Sequence, residues 1–135
     1  MPARILIADD YEDNRELLRL ILVTADYEVL EARDGQQCVE LARMHLPDLI
    51  MVDLSMPKLD GWEVFRILKA DLLTREIPCI AVTAYAEIDR ARALAVGFKD
   101  YLVKPFRTGE LLETVDRLLA GGNVKSVVAE AGSEA

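Results

Sequence analysis

The chain has 135 residues, enough for one continuous core and too few for two ordinary domains. Apolar residues make up 52% and charged residues 30%, a balance that excludes a disordered chain and predicts a packed core. The net charge of -8, with no cluster of Lys and Arg against it, opposes direct binding of nucleic acid and points to protein partners.

Met1-Pro2-Ala3-Arg4 leads straight into an apolar run too brief for a signal peptide or a membrane span, so a cytoplasmic location without membrane insertion is expected. Short β-rich runs then alternate with stretches of helical period, the pattern of an α/β domain with helices on both faces of a parallel sheet. Arg4 to Ala8 reads as the first strand, and Asp13 is placed to cap a helix carrying Leu17, Leu18, Ile21 and Leu22. Tyr27 to Ala32 is the second strand. Asp34-Gly35 turns into a helix with Val39, Leu41, Ala42 and Leu46, which Pro47 ends before the strand Leu49 to Asp53. That third strand is apolar on both faces and should be central. A loop with Pro57 and Gly61 opens a third helix with Val64, Phe65, Leu68 and Leu72. Pro78 to Thr83 is a strand, followed by the helix Glu87 to Val96, which stops at Gly97. Lys99 to Val103 is the last strand and Thr108 to Leu119 the last helix. Gly121-Gly122 is expected to end the domain, giving a domain over 1–120 and a flexible C-terminal tail over 121–135. Cys38 and Cys79 lack the close pairing of zinc or redox motifs and read as reduced, buried thiols.

Open parallel sheets bind ligands at the carboxyl ends of their strands. Here those ends carry Asp9-Asp10, Asp53, Thr83 and Lys104-Pro105. Right-handed crossovers and five βα units favour the strand order 2-1-3-4-5, which brings all of these side chains together. Polar residues also simply open loops, and any one of these positions alone has that explanation. Three converging carboxylates ask for more. Two unit charges about 4 Å apart repel by on the order of 4 kcal/mol at an effective dielectric near 20, so the cluster needs a counter-charge. With only oxygen ligands at hand, a hard ion such as Mg2+ fits better than zinc. The ion would lie between Asp10, Asp53 and a loop carbonyl, with Lys104 as a second positive charge and Thr83 as a hydroxyl donor, ready to meet a phosphoryl group.

Ile-Leu-Ile-Ala-Asp-Asp at residues 5–10, Met-Val-Asp-Leu-Ser-Met-Pro-Lys-Leu-Asp-Gly at 51–61, Val-Thr-Ala at 82–84 and Tyr-Leu-Val-Lys-Pro-Phe at 101–106 resemble the receiver domain of two-component response regulators. The resemblance covers about residues 3–120, in order and spacing. It implies a flavodoxin-like doubly wound (βα)5 fold with the order 2-1-3-4-5, and part of the support for that order comes from it. It further implies that Asp53 is the phospho-acceptor, that Asp10, Asp53 and the backbone carbonyl of Ser55 ligate Mg2+, and that Asp9 holds the ion through water. Lys104 would pair with phosphoryl oxygens, and the peptide before Pro105 would be cis. Thr83 and Tyr101 would be the switch, Thr83 bonding the phosphoryl group and Tyr101 turning inward behind it. Without the resemblance, Tyr101 is an amphipathic residue near a sheet edge. The readout face would be the fourth helix, fifth strand and fifth helix, around Ile88, Arg92, Tyr101, Val103 and Glu110.

The resemblance implies a signalling protein rather than an enzyme, one that catalyses its own phosphoryl transfer and autodephosphorylation. Its partners would be a sensor histidine kinase or a histidine phosphotransfer protein and a downstream target protein. The expected state is a monomer, with a phosphorylation-dependent dimer as the alternative. Ala84 leaves room for the phosphodonor, whereas the resemblance implies that Ser55 and Tyr85 occupy positions that tune hydrolysis. Trp62 reads as packing at the start of its helix, and His45 as a helix C-terminal residue. A haloacid dehalogenase-type phosphatase would need an acid where Ser55 stands. A flavodoxin would bring Asp9 and Asp10 against the flavin phosphate. The surviving alternative is a binding module with the receiver fold that acts without phosphorylation.

Overall fold

The alternating runs form five parallel strands and five helices in the computed structural model, which describes residues 2–84 and 86–131, with the backbone alone at 86–88 and 121–131. The strands are β1 (Arg4–Ala8), β2 (Glu28–Ala32), β3 (Leu49–Asp53), β4 (Cys79–Thr83) and β5 (Asp100–Val103). The helices are α1 (Glu12–Thr24), α2 (Gly35–His45), α3 (Gly61–Ala70), α4 (Ala86–Val96) and α5 (Thr108–Ala131). The sheet order is β2-β1-β3-β4-β5, as the sequence led us to expect, and β3 is buried along its whole length at the centre.

Period-two alternation sorts the strand side chains onto two faces. Ile5, Ile7, Leu49, Met51, Ile80, Val82 and Leu102 pack with Leu18 and Leu22 of α1 and with Leu111 and Val115 of α5. Leu6, Ala8, Ile50, Val52, Cys79 and Ala81 pack on the opposite face with α2, α3 and α4. Both cysteines are free and buried in that second layer, and burial pushes the Cys79 thiol up to about 12.

Local chemistry sets the helix ends. Asp34 caps α2 by accepting the Gln37 N–H, and Asp60 forms a reciprocal capping box with Glu63 at the start of α3. Leu46, at φ 46°, turns the chain out of α2 just before Pro47. Gly97, at φ 121°, follows the last turn of α4.

Some sequence expectations need correction. Asp13 does not cap α1: the cap position is Tyr11, without a side-chain bond, and Asp13 lies in the first turn, where its charge still complements the helix dipole. Leu17 is 56% exposed and lies off the buried stripe of Leu18 and Leu22. Leu72 is not on α3, because the Asp71 carboxylate takes the Leu73 N–H and turns the chain, leaving Leu72 75% exposed. α5 does not stop before Gly121-Gly122 but continues to Ala131. Two glycines cost roughly 1 kcal/mol each against alanine, and with no capping turn there the backbone hydrogen bonding carries on through them. Starts shift by one residue at β2, β4, β5 and α4.

Gly35 is where α2 meets the loop before α3: a Cβ there would lie 2.3 Å from the Leu59 carbonyl oxygen and 2.8 Å from Val64 Cγ2. Gly35→Ala is expected to lower stability by about 1–3 kcal/mol. The urea midpoint should fall with an unchanged slope, and an unaltered midpoint would contradict this close approach.

Candidate functional site

Strand register assembles the site. Ala8 pairs with Val52, Asp53 with Val82, and Thr83 with Val103, so Asp9 and Asp53 lie level, with Thr83 one residue and Lys104 two residues beyond them at the same end of the sheet. Alternation then divides them. Continuing the α1/α5 face from Ile7, Met51 and Leu102 by two residues gives Asp9, Asp53 and Lys104. Thr83 and Tyr101 fall instead on the face of Cys79 and Ala81, toward α3 and α4. Asp10, one residue beyond Asp9, is exposed at the mouth.

Asp9 and Asp53 are 2% and 5% exposed. The Lys104 ammonium donates to both, at 2.6 Å from Asp53 Oδ2 and 3.1 Å from Asp9 Oδ2. The remaining oxygens are also engaged: the Ser55 N–H donates to Asp53 Oδ1 at 2.8 Å, and the Tyr11 N–H to Asp9 Oδ1 at 2.9 Å. Burial raises the Asp53 carboxyl above the usual range; the Lys104 and Ser55 hydrogen bonds oppose this, and the Asp9 charge adds to it. Burial pulls Lys104 down, but its bonds to Asp53 and the charges of Asp53 and Asp9 outweigh that and leave it above its ordinary value. Lys104 is therefore a firmly cationic clamp. The peptide between Lys104 and Pro105 is cis, as expected.

Carboxylate oxygens of Asp9, Asp10 and Asp53 lie within 4.8 Å of one another. One ammonium cannot neutralise three carboxylates, and the donors are all oxygen, so the cluster suits a hard divalent cation. Thr83 is buried, and its hydroxyl donates to Asp89 Oδ2 of α4 at 2.7 Å. Tyr101 is half-buried beneath the Arg90 guanidinium, which lies 5.2 Å from its ring centre. Trp62 packs edge-on to Phe98, consistent with a packing role, and also carries the Arg92 guanidinium 3.9 Å from its ring centre. His45 occupies the last turn of α2. Tyr85 lies outside the described residues, as does the side chain of Ile88.

Several participants were not found by sequence reasoning. Asn14 donates to Asp9 at 3.4 Å, and Arg15 to the Asp9 carbonyl at 2.9 Å. Helical spacing from Tyr11 could have found both, since the first turns of α1 stand over the end of β1. Asp89 and Arg90 carry no comparable signal, and Arg92, expected on the readout face, gave none for its contact with Trp62, because these contacts depend on where α4 is set down.

The sequence matches the response regulator receiver domain over residues 5–116. The chain belongs to that family. It is 38% identical over 120 residues to the polar-differentiation response regulator DivK of Brucella anthropi, spanning 88% of this chain and 98% of DivK. It is 44% identical over 106 residues to the response regulator PleD of Caulobacter vibrioides, 78% of this chain but 23% of PleD. Among solved structures, the receiver domain of the sensor histidine kinase PA1611 from Pseudomonas aeruginosa superposes with a TM-score of 0.82 at 34% identity, over 89% of this chain and 99% of that one. That structure has a magnesium ion coordinated in its active-site cleft. This receiver domain is thus a two-component signalling domain with an acidic pocket, and no helix among its described residues is long and apolar enough to cross a membrane.

Removing the clamp isolates two buried carboxylates. Lys104→Gln should lower stability in divalent-free buffer by about 1–3 kcal/mol. Added Mg2+ should restore more stability to this variant than to the native chain, in parallel urea titrations. Equal responses would show that the ammonium and the cation do not share the same charges.

Proposed function

We propose that this receiver domain is a phosphorylation-dependent switch, with Asp53 accepting a phosphoryl group from a sensor histidine kinase or a histidine phosphotransfer protein. The observation that carries this reading is the 2.6 Å contact between Asp53 and Lys104 inside a cluster of three carboxylates. An acidic oxygen is held at the end of the central strand, next to a fixed cation that can take up the charge of an incoming phosphoryl group.

Asp10, Asp53 and the Ser55 carbonyl would hold Mg2+, with Asp9 acting through water. The ion supplies positive charge that offsets the carboxylates and the phosphoryl oxygens. Asp53 contributes the attacking oxygen: its bond to phosphorus forms as the phosphorus–nitrogen bond of the donor imidazole breaks, and the imidazole leaves with a proton from solvent. Lys104 then pairs with a phosphoryl oxygen and Thr83 donates its hydroxyl to another. The small side chain of Ala84 leaves the approach open. Autodephosphorylation is the attack of water at the same phosphorus.

The readout is a change of protein partner at the surface of α4, β5 and α5, where Arg92 and Glu110 are exposed and Tyr101 and Val103 half-buried. Shifting such an equilibrium from mostly off to mostly on takes roughly 5.5 kcal/mol, within reach of several charge-assisted bonds to a phosphoryl group. The net charge of -8 favours a downstream target protein over nucleic acid. Residues 1–120 contain every group this reading uses, and the switch acts in the cytoplasm as a monomer.

Incubation with acetyl phosphate and Mg2+ should add one phosphoryl group per chain by intact mass, and Asp53→Asn should abolish the addition. An unmodified native chain would favour the phosphorylation-independent binding module instead, and a variant still labelled would overturn Asp53 as the acceptor.

A further inference from the structure

The described side chains of α4 supply little apolar burial. Among its described side chains only Ala93 is buried, while Leu94 and Val96 stand 43% and 49% exposed. Three charged residues within four positions tie the helix to three neighbours instead. Asp89 accepts the Thr83 hydroxyl at the end of β4, Arg90 lies over Tyr101 of β5, and Arg92 lies over Trp62 of α3. Cation–π contacts at exposed positions are individually weak. The Thr83–Asp89 bond, part-buried and accepted by a carboxylate, is of the stronger, charge-assisted kind.

A hydroxyl has one proton to give. Thr83 cannot donate it to Asp89 and to a phosphoryl oxygen on Asp53 at the same time. The two acceptors also lie in different directions, because alternation puts Thr83 on the α4 side of the sheet and Asp53 on the α1/α5 side. Taking up the phosphoryl bond therefore requires Thr83 to turn away from α4.

We propose that Asp89 is an off-state latch: a positioning residue on α4 that competes with the phosphoryl group for the Thr83 proton, so that phosphorylation releases the first turns of α4. This rests on the reading of Asp53 as phosphoryl acceptor and Thr83 as donor to that group. Once Thr83 turns, Asp89 loses its partner and faces added negative charge, which drives the helix in the same direction as the loss of the bond. Arg90 and Arg92 sit one and three residues farther along, so a shift of α4 also disturbs their contacts with Tyr101 and Trp62. The latch thereby couples the proton swap to the aromatic residue of the switch.

The test is the apparent affinity for beryllofluoride, a stand-in for the phosphoryl group, measured by fluorine NMR in saturating Mg2+. Asp89→Ala should bind about tenfold more tightly than the native chain, as expected from removing a competing charge-assisted bond. Asp89→Asn, which keeps the shape and a neutral acceptor, should tighten binding by less, and it carries the test should the alanine variant fail to fold. In a Thr83→Ala background, Asp89→Ala should change the affinity by less than about twofold, because the proton in dispute is gone. An unchanged affinity in Asp89→Ala, or an equal gain with and without Thr83, overturns the latch. Failure of the native chain to take up beryllofluoride overturns the acceptor reading itself and the latch with it, a result distinct from the other two.

Discussion

The site is organised by one ammonium group set between two buried carboxylates. Asp9 and Asp53 end neighbouring strands at the same level, and without Lys104 two negative charges would be buried side by side. Lys104 reaches them because it follows β5, three strands away from β1 in the sheet order, on the same face and two residues beyond their level, a gap its long side chain spans. The clamp thus offsets a liability of the fold. It holds Asp53 in place, and it leaves enough uncompensated charge for a hard cation to complete the balance.

Sheet alternation separates chemistry from readout. Asp9, Asp53 and Lys104 share the α1/α5 face, whereas Thr83 and Tyr101 share the face covered by α3 and α4. Thr83 stands at the boundary, with its backbone beside Asp53 and its hydroxyl on α4. In the proposed switch, a small hydroxyl at that point exchanges the Asp89 carboxylate for a phosphoryl oxygen without moving the sheet. The sheet itself is packed from both sides and yields little, so the proposed switch places its motion in α4, whose described side chains are mostly exposed.

Much of this was legible in the sequence because it depends on short-range rules. Apolar periodicity located all ten elements, and the acidic pair after β1, the aspartate ending β3 and the lysine after β5 are each a fixed step beyond an apolar run. Elsewhere, local signals were ambiguous or absent. Leu72 continued the apolar period of α3, yet Asp71 offered its carboxylate to the backbone and ended the helix. Gly121-Gly122 looked like a stop, yet α5 runs on to Ala131, because glycine favours a helix end without imposing one. The partners of Thr83, Tyr101 and Trp62 on α4 depend on where the helix is set down against the sheet, and no periodicity encodes that placement.

The most direct measurement of the central claim is a crystal structure of the chain grown with Mn2+, an oxygen-seeking ion that can be located by its anomalous scattering. The account predicts one anomalous peak between the carboxylates of Asp10 and Asp53, with the Lys104 ammonium still within hydrogen-bonding distance of Asp53. A cluster without a peak, its carboxylates turned apart and Lys104 directed to solvent, would contradict it.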